Sequence, residues 1–197
     1  MNQINLRGEI RNIEYSHTIG DTEYDKAIII VPKENGEDIL SLRFKKLSCR
    51  YEEGQKISFR GNIRSYSEKL DNGKNKVNIY VFTYFDIPEE SLESNNNLIL
   101  DGRICKKDKI RLINGRKSLH FILANNIISK NGTQKLNNYI PCIVFDDNAE
   151  LVNNLDISSK LQIWGKLQSR EYIKIVDGVE ENHVAHEVIV DNLEKLE

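Results

Sequence analysis

Asn2-Gln3-Ile4-Asn5-Leu6-Arg7-Gly8-Glu9-Ile10 recurs as Asn96-Asn97-Leu98-Ile99-Leu100-Asp101-Gly102-Arg103-Ile104, with Gly8 and Gly102 lying 94 positions apart in a chain of 197 residues. A second pattern repeats further on: Lys56-Ile57-Ser58-Phe59-Arg60-Gly61-Asn62-Ile63-Arg64-Ser65 is echoed by Lys160-Leu161-Gln162-Ile163-Trp164-Gly165-Lys166-Leu167-Gln168-Ser169. Two landmarks repeated in the same order argue for two domains of one fold, and the length has room for two domains of roughly 100 residues. In both copies apolar residues alternate with polar ones, the period of two that marks half-buried strands.

Outward from these landmarks the strand signal continues. Val77, Ile79 and Val81 alternate, while Ala27-Ile28-Ile29-Ile30-Val31 and Leu119-His120-Phe121-Ile122-Leu123-Ala124 are runs expected of central strands buried on both faces. Ile19-Gly20-Asp21, Glu34-Asn35-Gly36, Asp71-Asn72-Gly73, Ile113-Asn114-Gly115, Lys130-Asn131-Gly132 and Val176-Asp177-Gly178 predict hairpin turns, because Asn and Gly accept positive φ. Only Lys45 to Tyr51 and Asp147 to Leu155 read as helical. In the second, Asp147 is placed to cap, and Leu151, Val152 and Leu155 share one face. Each half is thus three strands, a short helix and two more strands, the order of the five-stranded Greek-key OB-fold. The predicted fold class is all-β, two tandem OB-fold barrels with a short helix between strands 3 and 4. The domains span residues 1–87 and 96–197, joined by a polar, acidic, proline-marked linker over 88–95.

Apolar residues make up 39% and charged residues 29%, so the cores should be small and the surfaces wet. A net charge of −2 excludes a polycation, although a local basic groove fits on a neutral protein. Cys49, Cys105 and Cys142 lack CxxC spacing, which speaks against a disulfide framework and against a structural metal site, and favours a reduced cytoplasmic setting. The polar start at Met1 to Ile10 lacks the apolar core of a signal peptide, and no stretch approaches the roughly 18 apolar residues of a membrane span. His17, His120, His183 and His186 are scattered, no nucleophile sits in an elbow, and no glycine-rich phosphate loop precedes a helix. Neither an enzyme nor a cofactor is expected.

The second half, from about Asn96 to Glu194, resembles the bacterial single-stranded DNA-binding protein family. The resemblance is carried by Leu98-Ile99-Leu100-Asp101-Gly102-Arg103-Ile104, Phe121-Ile122-Leu123-Ala124, Tyr139-Ile140-Pro141-Cys142-Ile143-Val144-Phe145, Gly165-Lys166-Leu167-Gln168-Ser169-Arg170-Glu171-Tyr172 and the closing Glu187-Val188-Ile189-Val190-Asp191. It implies bases stacked on Tyr139, Phe145 and Tyr172, with Arg103, Lys130, Lys166 and Arg170 screening phosphates; a fourth stacking position falls near Ile128 or Ser129, where no aromatic stands. Any base offers a π-face, so such platforms bind without reading sequence. The bland readings compete: Phe145 is as readily a core residue, and the basic run Arg103, Lys106, Lys107, Lys109, Arg111, Arg116 and Lys117 is most simply a solvated hairpin. Trp164, on an outward face, marks a chain-to-chain contact as readily as a ligand platform.

The first half is more diverged. Its candidates are Tyr24, Arg43, Phe44, Lys45, Arg60, Arg64 and Tyr66, with Phe44 in the place of Phe145 and Asp38 in that of Tyr139. It either binds single strands weakly or serves as a pseudo-dimer partner. The resemblance implies sequence-independent coating of single-stranded DNA in replication, recombination or repair, in the cytoplasm on the nucleoid. It further implies a homodimer giving four OB domains, replication or repair proteins as partners, and no membrane. The chain runs to Glu197 directly after its last strand, where many members carry an acidic tail, so a specialised, accessory or phage- or plasmid-encoded member is expected. The competing reading is a protein-interaction module of replication restart or a mobile-element assembly, with DNA or RNA contact secondary.

Overall fold

A computed structural model describes residues 1–46, 51–69, 73, 75–86, 94–128, 135–176 and 179–197. Among them the first half contributes β1 (Asn2–Ile19), β2 (Thr22–Lys33), β3 (Gly36–Lys45), β4 (Lys56–Lys69) and β5 (Asn75–Asp86). The second contributes β6 (Asn96–Lys107), a short β7 (Arg111–Ile113), β8 (Arg116–Ile128), β9 (Lys135–Phe145), α1 (Asp146–Asn154), β10 (Lys160–Val176) and β11 (Val179–Lys195). The pairing order is β2-β3-β5-β4-β1-β6-β10-β11-β9-β8-β7, with β1 also joined to β2 and β6 to β8. Those two extra pairings close the rings β1-β2-β3-β5-β4 and β6-β8-β9-β11-β10. Within each ring one contact is parallel, β3 with β5 and β9 with β11, and the rest are antiparallel. The architecture is the all-β tandem of five-stranded barrels that the repeated landmarks predict.

The barrels share one hydrogen-bonded seam. β1 and β6 run antiparallel with Ile4 opposite Leu98, its own counterpart in the repeat, so a pseudo-twofold axis passes between these two residues. Inward residues fill each barrel: Ile4, Leu6, Leu40, Leu42, Phe44, Phe59 and Ile63 in the first, Leu98, Leu100, Leu119, Leu123, Ile140, Val144 and Ile163 in the second, all at most 2% exposed. The four landmark glycines are demanded by close approach. A Cβ at Gly8, Gly61, Gly102 or Gly165 would meet a backbone oxygen (Ile30, Phe82, Ala124 or Ile189) at 2.3, 2.5, 2.8 or 2.0 Å. At Gly61 and Gly165 the ladder also shifts register, the same bulge in both copies. At the β7–β8 turn Asn114 and Gly115 both have positive φ (50° and 80°), the requirement that makes Asn-Gly a two-residue hairpin loop.

Several expectations change. The runs Ala27–Val31 and Leu119–Ala124 alternate after all: Ala27, Ile29 and Val31 point inward while Ile28 and Ile30 are half-exposed, and Ile122 likewise faces out. The outward apolar residues floor grooves on the barrel surface. The helix begins at Asp146 with no side-chain cap, so Asp147 sits in the first turn beside Asp146, where both carboxylates suit the positive end of the helix dipole. Its buried residues are Ala149 and Val152; Leu151 is 45% exposed, and the inward face therefore differs from the one predicted. The expected Lys45–Tyr51 helix has Lys45 closing β3 and residues 47–50 outside the described residues, as does most of the 88–95 linker. No helix among the described residues is long and apolar enough to cross a membrane.

Candidate nucleic-acid interface

Each barrel leans its last hairpin on its neighbour through the same pair of bonds. The Ser65 N–H donates to Asn138 Oδ1 (2.9 Å) while the Tyr139 N–H donates to Ser65 Oγ (2.8 Å). On the opposite side the Ser169 N–H donates to Asp38 Oδ1 (3.0 Å) and the Ile39 N–H to Ser169 Oγ (2.8 Å). Asp38 is 3% exposed and also takes Lys33 Nζ at 2.8 Å. His186 adds an Nε2–H bond to the Ile39 carbonyl (2.9 Å), and burial holds its pKa below the ordinary histidine value, so it stays neutral near pH 7.

The two clasps fix the register between copies. Asp38 corresponds to Asn138 and Ile39 to Tyr139; the ladders agree, with Ile30 opposite Ile39 and Ala124 opposite Tyr139. The sequence-based equivalence was therefore one residue off on this strand. A one-residue slip turns every side chain to the other face, so Phe44 is the counterpart of buried Val144, not of Phe145. At 1% exposure, edge-on to Tyr51 at 5.0 Å, the Phe44 ring has no free face and cannot receive a base.

Other candidates lie outside. Tyr139 is 44% exposed on β9. Half-buried Phe145 at the end of β9 carries the Arg116 guanidinium 4.7 Å from its ring centre, and Arg116 is itself ion-paired to Asp146 at 2.7 Å. Tyr172 on β10 stacks on His183 at 5.5 Å, with Arg170 at 5.8 Å. Lys166 is exposed on the same strand, on the face that carries Trp164, and Trp164 lies opposite Ile99 across the β6–β10 ladder. Lys130 lies outside the described residues, as does Ser129.

Much of the basic run has structural partners. Arg103 donates to the Ser158 carbonyl (2.9 Å), Lys107 closes the C-terminal carbonyls of α1 at Val152, Asn153 and Leu155, and Lys117 pairs with Glu150. Arg170 stands 3.6 Å from Glu187, whose carboxylate is 6% exposed and also accepts Gln168 Nε2 at 2.9 Å.

In the first barrel the Arg43 guanidinium lies over two rings, 4.8 Å from Tyr66 and 4.2 Å from Tyr80, and Arg64 lies 3.9 Å above Phe82. Tyr66 is 43% exposed. Arg43, Tyr66 and Tyr80 line a groove of about 400 Å³ floored by Ile28 and walled on one side by Val184 and His186 of the second barrel. The second barrel has a smaller groove of about 190 Å³. The grooves are counterparts: Lys26, Ala27, Ile28, Ser41 and Leu42 of one stand where His120, Phe121, Ile122, Pro141 and Cys142 stand in the other, with matching ladder partners. Sequence reasoning missed Tyr80. Its signal was parity: Val77, Ile79 and Val81 mark one face of β5, which leaves Tyr80 on the other. Among the described residues no group of three or more His, Cys, Asp or Glu is placed to hold a metal ion.

Residues 95–196 match the model of the single-strand binding protein family. The crystal structure of the wild-type single-stranded DNA binding protein from Thermus aquaticus superposes with a TM-score of 0.73 at 19% identity, covering 100% of this chain and 93% of that one. A deletion mutant of the same protein gives the same TM-score and identity, covering 94% of its chain. A Plasmodium falciparum SSB in complex with ssDNA aligns over 56% of this chain, with 24% identity and a TM-score of 0.44. At these identities the Thermus likeness shows the fold, in both barrels. No curated protein sequence matches the chain.

Proposed function

The chain belongs to the single-strand binding protein family, and from that premise we propose that it binds single-stranded DNA without reading its sequence and shields it during replication, recombination or repair. The observation that supports this reading is the placing of outward aromatic rings beside arginines on both barrels: Tyr172 by Arg170, and Tyr66 and Tyr80 around Arg43. A ring takes the π-face of any base at about 1–3 kcal/mol per base, and a neighbouring guanidinium takes the phosphate. Tyr139, Tyr172, Phe145 and Tyr66 serve as platforms, with Arg103, Lys166, Arg170 and Arg64 along the backbone. The work is binding rather than catalysis, in the cytoplasm on the nucleoid. The domains divide as 1–87 and 96–197 about the 88–95 linker.

Titration of the purified protein with fluorescent oligo-dT of about 35 nucleotides, long enough for several OB sites, tests the reading. Submicromolar binding is expected at low salt, with log K falling linearly in log salt; each phosphate-contacting Lys or Arg removed should lower that slope by roughly 0.7–1. Duplex of the same length should compete poorly, and an RNA of the same sequence separates a DNA reader from an RNA reader. No binding at low salt overturns the proposal.

Two chains pairing into a four-barrel particle is the second part of the proposal. The outer face of β4-β1-β6-β10 carries Trp164 beside Ile99 among short polar side chains such as Asn5 and Asn97, and such a face suits a partly polar interface. Sedimentation should give twice the 22.8 kDa chain mass, and Trp164→Glu should return the monomer; a wild-type monomer at micromolar concentration would refute the dimer.

A further inference from the structure

The grooves on the two barrels are counterparts in backbone but not in chemistry. Where the first barrel has Arg43, the second has Ile143, because these residues pair in parallel with Phe82 and Ile189 respectively. Where the first has Tyr80 opposite Arg64, the second has Glu187 opposite Gln168. Tyr66 opposite Asn78 becomes Arg170 opposite Ala185. One groove therefore holds two rings and an arginine, and the corresponding place on the other holds an arginine bound to a buried carboxylate.

We infer that the first barrel's groove, walled by Val184 and His186 of the second, is the principal nucleotide site of the molecule, although the second barrel carries the family resemblance. The inference rests on the single-strand reading above and states where on the chain that reading is concentrated.

Three observations carry it. Arg43 lies against both Tyr66 and Tyr80, whose rings also pack on each other at 6.0 Å, with no carboxylate at ion-pair distance among the described residues, so its donors remain available to a phosphate while its plane is already oriented. Among the described residues the groove's ion pair is Lys26 with Glu14 at 3.0 Å, which leaves Arg43 as the surplus charge. The volume, about 400 Å³, is in the range of sites that enclose a small ligand, whereas the second groove, at about 190 Å³, falls below it.

On the second barrel, Glu187 works against an anionic strand twice. Its carboxylate stands 3.6 Å from His120, which lines the smaller groove, and it draws the Arg170 guanidinium at the same distance. A base entering there meets Ile122 and Pro141 as apolar floor but no outward Tyr, Phe or Trp ring within the groove lining, where the imidazole of His120 stands beside Glu187. The aromatics of the second barrel, Tyr139, Phe145 and Tyr172, stand where the first has Ile39, Lys45 and Glu68. Their platforms are thus dispersed along β9 and β10, whereas those of the first barrel converge on one guanidinium.

The oligo-dT titration decides the matter when run on five variants of the full chain: Arg43→Ala and Tyr66→Ala in the first groove, and Tyr139→Ala, Tyr172→Ala and Glu187→Gln on the second barrel. Tyr66 and Tyr139 have nearly equal exposure (43% and 44%), so their truncations disturb the fold alike and the comparison is fair. The first pair is expected to weaken binding roughly 5- to 150-fold each, the span of one lost base stack, and the second pair by less. Glu187→Gln, which keeps the shape and the bond from Gln168, is expected to tighten binding several-fold. Equal or larger losses from the second pair, with Glu187→Gln no tighter than wild type, would overturn the assignment while leaving the single-strand reading intact. Failure of the wild-type chain to bind overturns both.

Discussion

Gly165→Ala is expected to cost the second barrel about 3 kcal/mol or more, the upper range for forcing an extra carbon into a packed site, and to lower the melting temperature by roughly 6–12 °C at the 2–4 °C per kcal/mol typical of a chain this size. The added Cβ would stand 2.0 Å from the Ile189 carbonyl oxygen and 3.1 Å from Val190 Cα. Both are backbone atoms in the neighbouring strand β11, so no side chain can rotate away. The ladder already shifts register at this point, and β10 to β11 is the most extended pairing in the fold, from Leu161 with Lys195 to Val176 with Val179. Opening it there unzips the strand that also joins β6, and through β6 the other barrel. Gly20→Ala is the matched control: its φ of +57° makes alanine uncomfortable, by about 1–2 kcal/mol, but nothing lies within 4 Å of the new carbon. Urea unfolding of the two variants separates them. A Gly165→Ala loss no greater than that of Gly20→Ala would show that β11 can yield, and that the repeated glycine is not held by close approach.

That contact explains why the fold was legible from the outset. A glycine forced by a neighbouring backbone oxygen is a constraint of the barrel itself, so Gly8, Gly61, Gly102 and Gly165 mark the same places in both copies and announce the duplication. Alternation did the rest for strands with one wet face. It misled where the outward positions were apolar as well: Ile28, Ile30 and Ile122 read as doubly buried, yet they floor surface grooves. The helix boundary failed for a different reason. Asp146 takes a positive φ of 50° at the turn out of β9 and is held by Arg116, a contact between residues 30 positions apart that no local capping rule anticipates.

The site was less legible than the fold, because it depends on register. Tyr139 and Tyr172 came from the family resemblance and Tyr66 from its place in the first half, and all three rings are outward or half-exposed. Tyr80 was passed over because its strand was read only for its inward residues. The convergence of Tyr66, Tyr80 and Arg43 requires β3, β4 and β5 to be brought side by side, with Arg43 beside Phe82 and Arg64 opposite Tyr80. Nothing in the linear spacing of three residues on three strands states that they meet. Charge was misleading in the same way: the basic run in the second half is largely taken up by Ser158, the end of α1, Asp146 and Glu150.

Phe44 turns the register question into a measurement. Placed at the position of Phe145 it would be a platform; placed at that of Val144 it is core, and the structure buries it to 1%. Phe44→Ala should then remove about 3–5 kcal/mol of stability, the usual cost of emptying an aromatic site in a packed interior, since Leu42, Tyr51 and the facing strands of a closed barrel cannot collapse far into the space. Measured at a temperature where the variant is still folded, its affinity for oligo-dT should stay within about twofold of wild type, because no base reaches the ring. Tyr66→Ala should show the opposite pattern: a ring 43% exposed and lying on Arg43 contributes little to the core but a whole stack to the strand. The two substitutions remove aromatic rings from the two strands that flank β5 in one barrel, and they differ in the facing of the side chain. A Phe44→Ala protein that keeps its melting temperature and loses its DNA would place β3 one residue out of the register given by the clasp of Asp38 with Ser169, and would return the ring to the surface.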